Sequence, residues 1–466
     1  MDAPSSYQAI VVGGGISGLV CAYGLATAGV RTALVESGAQ AGGLISSERV
    51  NGYLLERGPN SFLSTNAALE LLAELGIAEK AELQSMADHD RYVWRNGKLR
   101  RVPTGPLQLI TSTLLSMREK YEVVHGMAAR FRPPSGDMEL GKFCRERFGN
   151  GAVDTLVKPG IAGIYAADAD RISLESTAAK LFPALSRCER IIDVVREIKA
   201  ERQANTAPRT TRSLVSFSDG LVTLASALER GFTAAGGTVL AGTAAATISA
   251  LDSRTWMLQL GSGDNLQCER LVLCVPSYVA AELLKPLHSG AAKTLEDIEY
   301  AGLAIVHAGA TENQFRNKRT GFGFLTVQRQ GVRALGAIWS DRIFKGRAPT
   351  GHRLLTMFYG GEIDPAALEL NDTEMRRQVG EDLKTTMGFS GDLELLQITR
   401  LRWAIPVFRV GHASRMREVM TGLPRGVELL GNYVGGVSVP DRIDRANETA
   451  QRIVAHFSNE RLTTAA

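Results

Sequence analysis

The stretch AIVVGGGISGLVCAYGLATAGVRTALVES, residues 9–37, decides the fold of this chain. An apolar run at 10–12 ends in a glycine cluster, and a helix-like segment follows it. A second apolar run at 32–35 is closed by Glu36. This order predicts a strand, a tight turn, a helix and a second strand, which is the unit from which parallel α/β sheets are built.

Three glycines of this unit, Gly13, Gly15 and Gly18, have the G-x-G-x-x-G spacing. Gly13 allows the tight turn, Gly15 lets the backbone approach a pyrophosphate, and Gly18 lets the helix pack closely on the strand. Glu36 lies 18 residues beyond Gly18, where a carboxylate accepts hydrogen bonds from ribose hydroxyls. Because the start of the helix also presents free N–H groups to phosphate, the unit predicts a dinucleotide-binding site.

A transmembrane helix and a signal peptide are the alternative interpretations of this stretch. Residues 9–30 carry no charge and are long enough to span a bilayer. Six glycines interrupt the run, however, and no Lys or Arg precedes Arg31. The positively charged start of a signal peptide is therefore missing, and the nucleotide-binding interpretation is preferred.

The composition limits the classes of function. A chain of 466 residues is expected to form two or three domains, and a formal net charge of +4 is too small to indicate nucleic acid binding. The seven histidines form no ligand cluster, so no metal site is expected. Five cysteines without a C-x-x-C pair predict reduced thiols in a cytoplasmic protein; they are Cys21, Cys144, Cys188, Cys268 and Cys274.

Two turns follow the nucleotide motif. The alternation at 53–55 predicts a short strand, and ERGPNSF at 56–62 then predicts a tight turn broken by glycine and proline. The pair Asn-Gly at 96–97 predicts a two-residue hairpin turn. Residues 104–117 are uncharged and too short to span a bilayer. They predict a buried helix, with a helix lying in a membrane interface as the alternative.

Helical and strand patterns alternate through the rest of the chain. Residues 138–202 are predicted to be helical and 201–213 to form a loop. The last of these helices has an apolar stripe that is predicted to face inward, formed by Ile191, Val194, Val195 and Ile198. Further helices are predicted over 67–75, 221–233, from Ser277 and over 372–387, and strands over 238–240, 271–276, 304–308, 321–327, 334–339 and 354–359.

The end of the chain repeats the pattern of its beginning. The run VELLGNYVGG at 427–436 predicts a strand entering glycines, and a helix with Pro440 near its start follows. The positive end of such a helix stabilises the negative charge of a reduced flavin. This second glycine turn is therefore the expected place for a flavin ring.

Seven motifs in order resemble the protoporphyrinogen oxidase family of the FAD-containing amine oxidase superfamily. They are VVGGGISGL (11–19), YLLERGPNSFL (53–63), RYVWRNGKLRRVP (91–103), GIAGIYAADADRISL (160–174), GFGFL (321–325), LGAIW (335–339) and GNYVGGVSVPDRI (431–443). The resemblance covers nearly the whole chain. It implies oxidation of protoporphyrinogen IX to protoporphyrin IX in heme biosynthesis, with non-covalent FAD, O2 as acceptor and H2O2 as product, and a homodimer.

Pattern and resemblance together imply an α/β fold of three parts. A discontinuous Rossmann-like FAD-binding domain is expected from 1–86, 207–288 and 400–466, and an α+β substrate-binding domain from 289–399. The remaining residues, 87–206, correspond by resemblance to a helical membrane-associating insert. This insert implies peripheral contact with the inner face of the cell membrane.

By position, the resemblance implies two sets of site residues. The FAD contacts are Gly13, Gly14, Gly15, Ile16, Ser17, Gly18, Glu36, Gly43, Leu44, Gly58, Pro59, Asn60, Ser61, Ala245, Asn432, Val437, Ser438 and Val439. Arg91 matches the arginine that pairs with a substrate propionate, while Asn60, Leu325, Ile338 and Phe358 match the macrocycle pocket, with Ala162 and Gly163 close by. Three positions depart from the family pattern: Gln40 replaces a frequent arginine, Arg442 a common cysteine and Ala245 the usual valine.

The chemistry requires no catalytic side chain, because the flavin accepts the hydride and the protein supplies position and dryness. A coproporphyrinogen III oxidase of the same architecture is the close alternative, and its four propionates would require more basic contacts. An amine oxidase is a weaker alternative, although no cysteine follows Cys274 to tether a flavin. A flavin-bound carrier without turnover is the alternative from a different class.

Overall fold

The computed structural model describes residues 5–204, 213–328 and 330–464. Of the predicted loop at 201–213, residues 201–204 continue a helix instead, and 205–212 lie outside the described residues. The described chain forms two seven-stranded sheets, two small sheets and a block of helices.

The first large sheet contains the predicted nucleotide-binding unit. Its strands are β1 (Ser5–Val12), β2 (Thr32–Glu36), β10 (Thr238–Ala241), β11 (Ala245–Ala250), β12 (Trp256–Leu260), β13 (Asn265–Leu273) and β19 (Val427–Leu429). Their order is β10-β2-β1-β13-β12-β11, with β19 paired to β13. The pairs β10–β2, β2–β1, β1–β13 and β13–β19 are parallel. Strands from both ends and the middle of the chain therefore share one parallel core.

Helices cover both faces of this sheet, as expected for a parallel sheet. One face packs against α1 (Ile16–Thr27), α10 (Val222–Ala234) and α16 (Val439–Thr464). The other face packs against α11 (Ser277–Leu284), α12 (Ser289–Glu296) and α15 (His412–Gly422). Helices α1 and α16 contact each other directly. The two helices that follow the two glycine turns therefore lie side by side, although they stand at opposite ends of the sequence.

The second large sheet has one helix on one of its faces. Its strands, in spatial order, are β18 (Glu394–Pro406), β14 (Tyr300–Thr311), β17 (His352–Gly360), β16 (Gly336–Trp339), β15 (Gly323–Thr326), β7 (Arg91–Arg95) and β8 (Lys98–Arg101). Helix α14 (Asp372–Met387) packs on one face through Met375, Val379 and Leu383. The predicted helix over 372–387 is confirmed at both ends.

The predicted domain boundaries at residues 87 and 399 cut across this second sheet. The hairpin β7–β8 was placed in the helical insert, but β7 pairs in parallel with β15. Strand β18 likewise continues beyond residue 399 to Pro406 and pairs with β14. Which sheet a strand joins is determined by pairing between segments that are distant in the sequence. The local periodicity of a segment carries no information about that pairing.

The smaller elements connect the two large sheets. A hairpin of β3 (Ser47–Val50) and β4 (Tyr53–Glu56) precedes a three-stranded sheet of β5 (Phe62–Leu63), β9 (Ser213–Phe217) and β6 (Ala81–Ser85). Helix α2 (Asn66–Glu74) follows β5, and the one-turn helix α13 (Ser340–Ile343) follows β16. The predicted strand that ends at Glu56 is confirmed.

The predicted helical region is also present. It contains α3 (Pro106–Thr111), α4 (Met117–Ala128), α5 (Leu140–Ala152), a π-helix (Val153–Val157), α6 (Lys158–Tyr165), α7 (Leu174–Thr177), α8 (Phe182–Leu185) and α9 (Ile191–Ala204). None of the helices in the described part of the chain is both long and apolar enough to cross a bilayer.

Two burial predictions for this region were wrong. The stretch 104–117 was expected to form a buried helix, but Leu107 is 80 % exposed and Ile110 65 % exposed, and only Leu114 and Leu115 are buried. Helix α3 is only six residues long and has no buried residue. Val195 is 51 % exposed, so the buried stripe of α9 consists of Ile191 and Val194, with Ile198 partly buried beside them.

Candidate active site

The first glycine turn has the geometry of a phosphate cradle. Gly13 has φ +102°, and a Cβ there would lie 2.7 Å from the Cys274 carbonyl oxygen. A Cβ on Gly18 would lie 1.9 Å from the Gly13 carbonyl oxygen, so helix and strand approach each other closely. A Cβ on Gly15 would meet nothing within 4 Å, and no side chain caps α1. The free N–H groups of the helix therefore face open space, which fits the pyrophosphate of FAD.

Glu36 stands at the end of β2, where the sequence predicts it. Its carboxylate accepts hydrogen bonds from the backbone N–H groups of Gly14 and Gly38, each at 2.6 Å. The Thr243 N–H donates to the Glu36 carbonyl, which brings the beginning of β11 and its first residue, Ala245, to this end of the sheet. A carboxylate oxygen has lone pairs to spare after one such bond. The arrangement leaves Glu36 able to accept from a ribose hydroxyl.

Two backbone approaches bring the next predicted residues beside the cradle. A Cβ on Gly43 would lie 3.0 Å from the Cα of Gly15. A Cβ on Gly58 would lie 2.0 Å from the carbonyl oxygen of Leu44. The loop that carries Gly58, Pro59, Asn60 and Ser61 is thus fixed against the segment that touches the cradle.

The C-terminal turn approaches from the other side. Asn432 precedes the positive-φ pair Gly435 and Gly436, and Ser438 caps α16 by accepting from the Asp441 N–H at 3.3 Å. Val437 packs against the same apolar cluster as Ala162 and Phe358. The turn predicted for the flavin ring and Phe358, which is predicted for the macrocycle pocket, therefore pack against one apolar cluster.

The residues predicted for the macrocycle share one face of the second sheet. In a sheet, directly paired residues point to the same side, and the side chains alternate along each strand. Two neighbouring cross-strand rows on the face opposite α14 contain them. The first row is Arg91, Gly323, Ile338 and Thr356, and the second is Val93, Leu325, Gly336 and Phe358.

The helical region closes one end of this face. A Cβ on Gly163 would lie 2.6 Å from Leu325 Cδ2, and a Cβ on Gly336 would lie 3.0 Å from the same atom. Ala162 is buried beside Gly163 on α6. Both glycines therefore leave room for the leucine side chain. Helix α6 forms a wall of the cleft, and the face from Arg91 to Phe358 forms its floor.

Several residues that position the site were not identified from the sequence. Arg442 is 3 % exposed and donates to the carbonyls of Gly431 and Val434 at 2.6 and 2.5 Å. It ties the first turn of α16 to the glycine-rich turn. Burial lowers the pKa of Arg442 to about 10, so it is charged at neutral pH. In the sequence, the only sign of this positioning role is that Arg442 stands where the family commonly has a cysteine.

A buried ion pair holds the base of the 58–61 loop. Arg347 and Glu56 are each 2 % exposed, and Arg347 Nη1 donates to Glu56 Oε1 at 2.8 Å. Glu56 also accepts from Ser47 Oγ at 2.5 Å and from the Leu221 N–H at 3.0 Å. Burial raises the pKa of Glu56, which Arg347 opposes. Only the long-range contact with Arg347 distinguishes this glutamate from an ordinary strand-end residue.

The described residues contain no group of three or more His, Cys, Asp or Glu side chains arranged to hold a metal ion. All five cysteines are unpaired. The site as a whole offers an anion cradle and an apolar floor, with Arg91 at one end of a cross-strand row of that floor.

Comparison with known proteins agrees with this geometry. Residues 16–454 match the family model described as flavin containing amine oxidoreductase. Protoporphyrinogen oxidase 1 of Spinacia oleracea is 30 % identical, over 96 % of this chain and 84 % of that protein. Coproporphyrinogen III oxidase of Bacillus subtilis is 28 % identical, over 94 % of this chain and 95 % of that protein.

A solved structure shows the same fold. The crystal structure of a candidate protoporphyrinogen oxidase from Exiguobacterium sp. 255-15 superposes with a TM-score of 0.79 at 25 % identity, covering 97 % of this chain and all of that one. Family match, sequence relatives and cradle geometry point to one assignment. The chain belongs to the flavin-containing amine oxidoreductase family, within it to the protoporphyrinogen oxidases and their relatives, and is an FAD-dependent oxidoreductase.

Proposed function

We propose that this chain oxidises protoporphyrinogen IX to protoporphyrin IX and passes the electrons to O2, which gives H2O2. The observation that carries the proposal is the shared face of Arg91, Leu325, Ile338 and Phe358. Phe358 packs against the same apolar cluster as Val437, which follows the C-terminal glycine turn. A flat, apolar tetrapyrrole with carboxylates at one edge fits an apolar floor with a cation in one row. The names of the relatives support the same substrate class.

The residues of the chain bind and orient the substrate in this proposal. The apolar floor could bury about 400 Å² of macrocycle, or about 10 kcal/mol at ~25 cal/mol per Å² before the costs of association. Arg91 adds about 1.5–3 kcal/mol through charge-assisted bonds and determines which edge enters. FAD supplies the hydride acceptor when it is bound. Leu325, Ile338 and Phe358 exclude water, so that three successive dehydrogenations take place in a dry cleft.

Coproporphyrinogen III is the second candidate substrate, because a coproporphyrinogen III oxidase aligns over 94 % of this chain. Two further arginines lie on the same face as Arg91. Arg95 donates to both carboxylate oxygens of Glu119, at 3.0 and 2.7 Å, and Arg100 donates to the Thr113 carbonyl at 2.8 Å. Both side chains already have partners within the protein, so additional propionates would have to compete with Glu119 and the Thr113 carbonyl for them.

Steady-state turnover of the two porphyrinogens, followed by porphyrin fluorescence, tests the proposal. Protoporphyrinogen is expected to have the higher kcat/KM, and faster formation of coproporphyrin would reverse the order.

Arg91→Ala is expected to raise KM several-fold while FAD stays bound, because it removes ground-state pairing. Arg101→Ala is the matched control, since Arg101 pairs with Tyr92 and so faces the opposite side of the hairpin. An unchanged KM in Arg91→Ala would remove Arg91 from the pocket.

The proposal also includes FAD contacts from Ile16, Ser17, Pro59 and Ser61. It further includes a cytoplasmic location, peripheral membrane contact and a homodimer. The exposed side chains of Leu107, Ile110 and Met117 support the membrane contact.

Trp403 is 62 % exposed on the edge strand β18, with its ring 5.3 Å from that of Tyr278. This aromatic edge supports self-association, which light scattering of the purified protein would measure.

A further inference from the structure

Two buried hydroxyls hold one end of the Asn60 side chain at the floor of the cleft. Asn60 Oδ1 lies 3.3 Å from Ser340 Oγ and 3.4 Å from Thr356 Oγ1, and the two hydroxyl oxygens are 3.1 Å apart. Ser340 is 5 % exposed and Thr356 is 0 % exposed, whereas Asn60 is half-buried. We call these three side chains the Asn60 cluster. It is a polar group at the Thr356 end of the floor, whose apolar side chains are Leu325, Ile338 and Phe358.

The hydroxyl hydrogens determine which end of the carboxamide meets the hydroxyls. Each hydroxyl brings one hydrogen, and within the described chain the three contacts above are the only hydrogen bonds of Ser340 Oγ and Thr356 Oγ1. With Oδ1 as the acceptor, both hydrogens are used inside the cluster. With the amide turned over, one hydroxyl hydrogen would be buried without an acceptor, which native structures avoid. Oδ1 is therefore the buried end.

The other end of the amide is then available to a ligand. Asn60 Nδ2 has no hydrogen-bond partner among the described residues, and Asn60 lies in the loop at 58–61 that is held against the phosphate cradle through Leu44. The Asn60 cluster also stands at the inner end of the row that begins with Arg91. Three interstrand spacings, about 14 Å, separate Thr356 from Arg91 along that row. The donor group therefore lies at the end of the row away from Arg91.

We infer that Ser340 and Thr356 are positioning residues that aim Asn60 Nδ2 at a hydrogen-bond acceptor of the isoalloxazine ring and thereby set how readily the bound flavin accepts electrons. The inference rests on the proposed place of the flavin against the 58–61 loop. A fixed donor stabilises the negative charge that the ring gains on reduction. The apolar surroundings make that stabilisation stronger than it would be in water.

Two substitutions at one position separate this role from a purely structural one. Thr356→Val keeps the shape of the side chain and removes the hydroxyl, whereas Thr356→Ser keeps the hydroxyl and is the matched control. The midpoint potential of the bound FAD is measured by anaerobic titration against a reference dye, together with its visible absorption and the melting temperature of each holoenzyme. No porphyrinogen is needed for this measurement, so its failure is distinguishable from failure of the proposed substrate.

Thr356→Val is expected to make reduction of the bound FAD about tenfold less favourable, which for a two-electron couple lowers the midpoint potential by about 30 mV. Thr356→Ser is expected to stay close to the wild type. A lowered melting temperature in Thr356→Val with unchanged potential and absorption would overturn the inference. If Thr356→Val does not retain FAD, Ser340→Ala is measured in the same way, and an unchanged potential there has the same meaning.

Discussion

At the scale of single residues, the three motif glycines have different physical roles. Gly13 and Gly18 are enclosed, because an added Cβ would lie 2.7 Å from the Cys274 oxygen or 1.9 Å from the Gly13 oxygen. Gly15 has an extended backbone with φ −69°, and a Cβ added to it would meet nothing within 4 Å. The protein itself therefore does not require glycine at position 15. The ligand does, because its pyrophosphate would occupy the place of a side chain.

Gly15→Val is expected to fold normally and to emerge without the yellow colour of FAD. Loss of several charge-assisted hydrogen bonds, each of about 1.5–3 kcal/mol, would weaken FAD binding by about a hundredfold or more. Flavin fluorescence after purification and calorimetric titration with FAD measure the effect. Gly105→Val is the matched control, since a Cβ there also meets nothing within 4 Å. Retention of the yellow colour in Gly15→Val would contradict the assignment of the cradle.

His307 gives the protein a pH dependence. Burial lowers its pKa to about 4, the Glu56 backbone carbonyl opposes this shift, and Arg57 adds to it. The unfolded chain, whose histidine has a pKa near 6.5, binds the proton more readily than the folded chain does. The free energy of unfolding therefore falls as the pH drops from about 6.5 to about 4.

The contribution of His307 to this loss is about 2 kcal/mol between pH 7.5 and pH 5. Urea unfolding of the wild type and of His307→Asn at the two pH values measures it. The variant should lose about 2 kcal/mol less than the wild type over this interval. An equal loss in both proteins would show that the histidine is not held neutral by the fold.

At the scale of elements, the sequence predicts what local patterns determine. The unit at 9–37, the hairpin turn at 96–97 and helix α14 follow from glycine spacing, turn chemistry and amphipathic period, and all three are present. Neither the parallel pairing of β7 with β15 nor the exposure of Leu107 follows from such patterns. Both depend on which distant segment comes to lie alongside. The Asn60 cluster was missed for the same reason, because Ser340 and Thr356 are polar residues that only the folded sheet brings to Asn60.

Arg442 holds the glycine-rich turn against the first turn of α16. Its guanidinium donates to two carbonyls of the glycine-rich turn, at Gly431 and Val434. Arg442→Met keeps the length of the side chain and removes both hydrogen bonds. FAD affinity is expected to fall about tenfold or more, because hydrogen bonds to a charged group contribute about 1.5–3 kcal/mol each.

Fluorescence titration with FAD and limited proteolysis within 431–438 would measure this loss. Arg452→Met is the matched control, since that exposed arginine lies on the same helix and pairs with Glu428. Equal FAD affinities in the two variants would show that the turn holds its shape without the buried guanidinium.

At the scale of the whole molecule, the exposed apolar side chains are concentrated in the helical region. Leu107, Ile110 and Met117 are 80 %, 65 % and 76 % exposed, and Arg118 adjoins them with its side chain 88 % exposed. The remote Leu251, in the turn after β11, is 43 % exposed. Apolar side chains next to a cation form the pattern of a surface that inserts into the headgroup region of an anionic bilayer.

The purified protein is expected to sediment with anionic vesicles at low salt and to be released at high salt. Each cation near the membrane surface adds about 1 kcal/mol to the free energy of binding, and salt screens this attraction. The double substitution Leu107→Ser with Ile110→Ser should lower the partition coefficient by about a hundredfold, since each side chain contributes about 1.5–3 kcal/mol on burial. Leu251→Ser should bind as the wild type does. If the double variant sedimented as well as the wild type, the contact would lie elsewhere on the molecule. If the wild type stayed in the supernatant at every salt concentration, the membrane contact would be refuted, and the exposed side chains of α3 would instead mark a site for a protein partner.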